Sequence, residues 1–183
     1  MTRARWPLLA GVAAATLAAD QATKLAALRS LADHQPLAVA GAWLRLTLAH
    51  NQGAAFGVLP QAAVYLTVAS AVIAIAILFY ARVAVAHSTL LTAAVAMLLG
   101  GAVGNLADRL RLGYVVDFID LRVWPVFNLA DVAVTLGVAL VVLVALMPGR
   151  AATSNAARPD GANRAGVSGD NEAPAAQPGA RER

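Results

Sequence analysis

Two aspartates in this sequence sit where a carboxylate needs a reason. Asp117 interrupts the apolar run Val115-Val116-Asp117-Phe118-Ile119, and Asp131 ends Phe127-Asn128-Leu129-Ala130-Asp131 at the head of a long apolar stretch. The segment between them contains Pro125 and is too short to cross a bilayer, so both can return to one membrane depth. Two carboxylates in one low-dielectric site cannot both ionise cheaply: one keeps its proton and the other stays a base. That division of roles suits hydrolysis of an amide. The anionic carboxylate takes a proton from water, and the protonated one hydrogen-bonds the scissile carbonyl. Helix capping is the plainer account of Asn128 and Asp131, since asparagine is a good N-cap and an acid three residues on completes the signal. No serine, threonine or histidine has a comparable setting. His34, His50 and His87 follow no metal-ligand spacing and are expected to be interfacial polar residues.

Other polar residues fall at helical spacing. Asp20 and Lys24 are four apart and share a helix face. They form either a neutralised pair that locks helices together or a pair that meets substrate. In Gly100-Gly-Ala-Val-Gly104-Asn105-Leu-Ala-Asp108-Arg109, the glycines leave one face without side chains, as in close membrane-helix packing. Asn105, Asp108 and Arg109 follow at i, i+3 and i+4, which makes that face polar at its end.

These residues need elements to hold them. About 20 apolar residues span a bilayer as a helix, and four stretches approach that: 6–28, 62–81, 89–106 and 129–147. The first could instead be a cleaved signal peptide headed by Arg3 and Arg5. The three later spans and the helix-face spacing of Asp20 and Lys24 weigh against that. Residues 37–58 read as a β-rich loop, because Trp43-Leu-Arg-Leu-Thr-Leu48 alternates before the small-residue run Asn51-Gln-Gly53-Ala-Ala-Phe-Gly57. A short loop is expected around Arg82 to Ser88. The sequence therefore predicts an all-α membrane protein of four helices with a small β-rich extramembrane part over 1–147. Residues 148–183, rich in Ala, Gly, Pro and Arg, are expected to form a disordered tail.

Composition agrees. The chain is 60% hydrophobic and 13% charged, about half the charged fraction of soluble domains. Cysteine is absent, which excludes disulfides and thiolate chemistry. The basic balance lacks the aromatic interleaving of a nucleic-acid surface, so no nucleic-acid partner is expected. Arginine placement does not orient the chain. Arg3, Arg5, Arg82 and Arg150 lie on one side of a four-span layout, and Arg29, Arg45, Arg109, Arg111 and Arg122 on the other. Some of the loop arginines are therefore expected to be structural or substrate-binding rather than to orient the chain. A proton-coupled transporter is the main alternative, but it calls for midplane carboxylates and an internal repeat. A packing scaffold leaves Asn51, Asn105 and Arg109 unexplained.

The ordered set Asp20-x-x-x-Lys24, Asn51-x-Gly53-Ala-Ala-Phe-Gly57, Gly100-Gly-Ala-x-Gly-Asn105-x-x-Asp108-Arg109, Val115-Val-Asp117-Phe and Phe127-Asn128-x-Ala-Asp131 resembles the lipoprotein signal peptidases, or signal peptidase II. Each motif alone is weak, and five in order across residues 5–147 are specific. The resemblance implies an aspartyl peptidase of the bacterial inner membrane. It removes the signal peptide of a prolipoprotein just before a cysteine that carries diacylglycerol, needs no cofactor or metal, and is expected to act as a monomer. The catalytic pair maps onto Asp117 and Asp131. Substrate-binding or site-supporting positions map onto Asp20, Lys24, Asn51, Gly53, Asn105, Asp108, Arg109 and Asn128. Both termini are implied to be cytoplasmic, with the site near the outer membrane face beside a β-cradle. The stretch between Asp117 and Asn128 is shorter than in some members, where a longer loop can cover the site. The tail matches no family element.

Overall fold

The computed structural model describes residues 5–31, 35–41, 43–53 and 62–147. The expected tail at 148–183 and the Ala54–Gly57 part of the small-residue run lie outside the described residues. Four helices follow the apolar stretches: α1 (Trp6–Leu31), α2 (Ala62–His87), α3 (Thr89–Leu112) and α4 (Leu129–Leu146). Three of them, from Val64, Thr89 and Leu129 onward, are long and apolar enough to cross a membrane. In α1, Asp20, Gln21 and Lys24 dilute the apolar run. Pro7 sits in the first turn of α1, where no hydrogen-bond donor is required of it.

The first three helices run longer than the charge pattern predicts, while α4 ends at Leu146. α2 passes Arg82 and ends only at His87, leaving Ser88 alone to join it to α3. An arginine ends a hydrophobic run without ending a helix, because its head can reach out to polar surroundings. The Arg82 guanidinium lies 5.5 Å from the Phe79 ring centroid. Ser88 caps α3 by accepting from the Leu91 N–H, and the Thr92 hydroxyl donates to the Ala84 carbonyl across the joint. α3 likewise runs through Asp108 and Arg109, until Gly113 takes a left-handed φ of 78° and donates its N–H to the Arg109 carbonyl.

α3 is the central helix and packs on the other three. Missing side chains allow this. A Cβ on Gly100 would lie 2.6 Å from the Ala13 carbonyl oxygen of α1, and one on Gly101 would lie 2.7 Å from the Ala130 carbonyl oxygen of α4. Large side chains of α2 and α4 point outward instead, among them Val68, Ile75, Phe79, Leu136 and Val142. That is the polarity expected of helices whose solvent is lipid.

At the end of the bundle away from Ser88 sits one antiparallel sheet in the order β1-β2-β3, formed by Leu37–Ala40, Leu44–Asn51 and Val115–Asp120. The first two strands fulfil the expected β-rich loop as far as Asn51. The third comes from the segment between α3 and α4, which the sequence reading leaves without a strand. Its register with β2 pairs Ala49 with Asp117 and Asn51 with Val115. Phe127 then folds back on β3, accepting from the Phe118 and Ile119 N–H groups and donating to the Ile119 carbonyl. This return places the start of α4 against β3. Phe118, Ala27, Leu31, Leu46 and Leu48 form the apolar packing that seats the sheet on α1.

Candidate active site

The site forms where α1 and α3 near their C-termini, the N-terminus of α4, and strands β2 and β3 converge. Asp117 projects from β3 and is 1% exposed. Asn51 at the end of β2 donates Nδ2–H to Asp117 Oδ2 at 2.8 Å, and Asn128 donates Nδ2–H to Asp117 Oδ1 at 2.6 Å. Asp131 lies in the first turn of α4. Its Oδ1 accepts from Asn105 Nδ2 at 2.9 Å and its Oδ2 from the Asn128 backbone N–H at 3.2 Å.

Asn128 therefore touches both aspartates. Its Oδ1 accepts the Asp131 N–H at 3.0 Å, which closes a capping box. Its two Nδ2 hydrogens go to Asp117 Oδ1 and, at 3.1 Å, to Asn105 Oδ1. The capping reading is fulfilled, and the same residue contacts both aspartates.

Burial pushes the Asp117 carboxyl up to about 6 from 3.8; the amide of Asn51 opposes this, the charge of Asp131 adds to it, and Asn128 and Lys24 oppose it further. A carboxyl so placed changes charge close to neutral pH, as general acid–base work requires.

A charged layer lies behind the pair. Lys24 Nζ is 2.9 Å from Asp20 Oδ2, 2.9 Å from Asp108 Oδ2 and 2.8 Å from Asn105 Oδ1. All three residues of this ion cluster are buried. One ammonium facing two carboxylates leaves negative charge, and backbone donors answer it: Ala130 N–H to Asp20 Oδ1 at 2.9 Å and Val116 N–H to Asp108 Oδ2 at 3.2 Å. Gly104 makes room, because a Cβ there would stand 2.5 Å from Asp20 Oδ2. The cluster thus ties α1, α3, β3 and α4 together beneath the aspartates. Of the two readings of Asp20 and Lys24, the locking one fits this burial.

Arg109 is half-buried, donates to the Asn105 carbonyl at 3.4 Å, and stands close enough to Asp131, Asp117 and Asp108 to feel their charges. Gly53, at φ 82°, donates its N–H to Asn51 Oδ1 at 2.8 Å, and a Cβ there would collide with Leu66. All ten residues singled out in the sequence thus gather in this site or the layer behind it. Two of the loop arginines are structural as expected: Arg45 Nη2 pairs with Asp120 Oδ2 at 2.8 Å, and Arg111 donates to Gln21 Oε1 at 3.2 Å. Asp120 is held below the usual carboxylate range, first by the Arg122 N–H and then by Arg45.

Gln21 escaped the sequence reading. It donates to Asp108 Oδ1 at 3.0 Å and Asp20 Oδ2 at 3.2 Å, and accepts from Arg111. Its only sequence signal is adjacency to Asp20. Beside Asp131 an open cavity of about 350 Å³ is lined by Leu121, Trp124, Phe127, Val132, Thr135 and Leu136. No group of three or more His, Cys, Asp or Glu side chains suited to a metal occurs among the described residues.

Comparison with known proteins bears on this geometry. The family model described as signal peptidase (SPase) II matches residues 12–147. The chain is 45% identical over 132 residues to the lipoprotein signal peptidase of Moorella thermoacetica, covering 72% of this chain and 88% of that one. It is 39% identical over 125 residues to that of Halothermothrix orenii, covering 68% and 85%. Among solved structures it is similar to a bacterial membrane enzyme determined by the in meso method at 1.9 Å, with a TM-score of 0.69 and 28% identity, covering 78% of this chain and 94% of that one.

Proposed function

This chain belongs to the signal peptidase II family, and from that membership we propose that Asp117 and Asp131 are the pair with which it cleaves. It is a membrane protease that removes signal peptides from prolipoproteins. The observation that supports the assignment is Asn128, whose side chain and backbone hold one oxygen of each aspartate at the head of α4.

In the reacting complex one carboxyl carries a proton and the other is ionised. The ionised one takes a proton from water as the oxygen attacks the scissile carbonyl. The protonated one donates to the developing oxyanion. Collapse of the tetrahedral species breaks the C–N bond, and the proton taken from water passes to the departing amine. Water, peptide and two carboxylates balance this reaction. Arg109 supplies positive charge beside the pair, and the cavity flanked by Trp124 and Leu136 gives an apolar segment a route to Asp131.

The substrate is a prolipoprotein whose cysteine already carries diacylglycerol, cut just before that cysteine. A signal peptide and two acyl chains are all held best by lipid, which suits a site at the end of a bundle with an apolar exterior. α1 is the fourth span: its 26 residues extend about 39 Å, and Asp20, Gln21 and Lys24 are turned inward to α3. Four spans put both termini on one side of the membrane; family membership supports the cytoplasmic side for them and the outer face for the sheet, and the protein works as a monomer within residues 1–147.

Purified protein should shorten a diacylglyceryl prolipoprotein on a gel, and Asp117→Asn or Asp131→Asn should each stop it while the protein stays monodisperse. Cleavage by either folded variant would remove the pair from the mechanism.

A further inference from the structure

Three asparagine amides touch the aspartates, and an amide can be turned either way round. Each of these is oriented by a partner that can only donate. The Gly53 N–H fixes Asn51 Oδ1 and the Asp131 N–H fixes Asn128 Oδ1, so both present Nδ2 to Asp117. Among the described residues no backbone N–H donates to Asn105 Oδ1. That oxygen accepts from Lys24 Nζ at 2.8 Å and from Asn128 Nδ2 at 3.1 Å. The ammonium contact is the shorter and is charge-assisted, hence the stronger.

Lys24 is also committed in full. An ammonium has three hydrogens, and Nζ has three oxygens within 2.9 Å, on Asp20, Asp108 and Asn105. It is 2% exposed, so no water is needed to complete its shell. Asp20 and Asp108 are in turn held by the N–H groups of Ala130 and Val116, which lie on α4 and β3, the elements that carry the two aspartates.

We propose that Lys24 is a positioning residue: without touching either aspartate, its ammonium holds the Asn105 amide so that Nδ2–H is always given to Asp131. This rests on the reading of Asp117 and Asp131 as the cleaving pair, and it assigns Lys24 more than the pairing of Asp20 and Asp108. Without the ammonium the Asn105 amide keeps its own Nδ2–H bond to Asp131 and the weaker Asn128 contact on Oδ1, and it loses the charged partner that fixes that oxygen. When it turns over, Oδ1 faces the Asp131 carboxylate, and a donor to the pair becomes a repelling acceptor.

Lys24→Met alone strands two buried carboxylates, so the test combines Lys24→Met with Asp108→Asn, which leaves the net charge of the cluster unchanged. The folded double variant should lose kcat by about 10- to 100-fold, the rate equivalent of one hydrogen bond to a charged group, with KM unchanged. The acid limb of its pH–rate profile should move to higher pH. Wild-type kcat and profile in that folded variant would overturn the proposal while leaving the pair itself intact. If the double variant does not fold, Asn105→Asp decides with Lys24 in place. It sets an acceptor of the same shape against Asp131, so cleavage should vanish at pH 7 and return in part as the pH falls and a proton bridges the two carboxylates. Full cleavage at pH 7 by Asn105→Asp would sink the idea. Asp117→Asn and Asp131→Asn, assayed alongside, report on the pair separately.

Discussion

Replacing Asp117 by asparagine should give a protein that cleaves nothing and, at pH 7, resists unfolding better than the wild type. The carboxyl is held at about 6 against an ordinary 3.8, and a tenfold change in proton affinity corresponds to about 1.4 kcal/mol. Keeping the group ionised in the folded protein at pH 7 therefore costs about 3 kcal/mol. The side chain is 1% exposed, so solvent screening takes little from that figure. Asparagine carries no charge, but its NH2 must face Asn51 Nδ2 or Asn128 Nδ2, both now donors to Asp117. Losing one such bond costs about 1 kcal/mol, which leaves a net gain of about 2 kcal/mol. The sign depends on pH. Because the folded carboxyl binds its proton more tightly than the unfolded one, the wild type loses stability as the pH rises from about 3.8 to about 6. The advantage of Asp117→Asn should be complete at pH 7, shrink through pH 5, and turn into a small deficit near pH 4. Apparent melting in detergent, followed by tryptophan fluorescence at these three pH values, measures it. A variant that melts lower than wild type at pH 7, or a difference that ignores pH, would refute the account of Asp117 as a carboxylate strained by burial.

Further outcomes follow from the packing and the groove. Gly104→Ala puts a methyl 2.5 Å from Asp20 Oδ2 and should destabilise by about 1–3 kcal/mol as overpacking, read as lower apparent melting and lower yield. Arg45→Ala removes a partly exposed ion pair with Asp120 and should cost no more than about 1 kcal/mol, with cleavage retained in the gel assay. Trp124→Ala opens the cavity beside Asp131 and should raise KM for the prolipoprotein while leaving kcat near wild type. A chain ending at residue 147 should cleave as the full chain does in a side-by-side time course, since the family match closes at that residue.

The helices were legible because length and apolarity are summed over many residues, so a single Arg82 or Asp108 misplaces an end without hiding the element. The aspartates were legible because a carboxylate within Val115–Ile119 has no apolar reason to be there. β3 was not. Its six residues are too few for periodicity to separate a buried strand from the end of a helix, and its partner strand lies far away in the chain. Gln21 was missed for a similar reason. A glutamine beside Asp20 has no pattern of its own, and its partners Asp108 and Arg111 come from another helix. Lys24 was visible as half of an i,i+4 pair, but its contact with Asn105 depends on how closely α1 approaches α3, which the glycines permit and no spacing rule reports.

The double duty of Asn128 constrains how such an enzyme can be improved or worn out. The hydrogen bonds that begin α4 are the same ones that hold the aspartates, so fraying of that first turn and loss of turnover are one event rather than two. Thermal inactivation should then precede global unfolding. The usual remedy of strengthening a helix start by exchanging its cap for aspartate is closed here, since a third carboxylate would be driven in between the two already present.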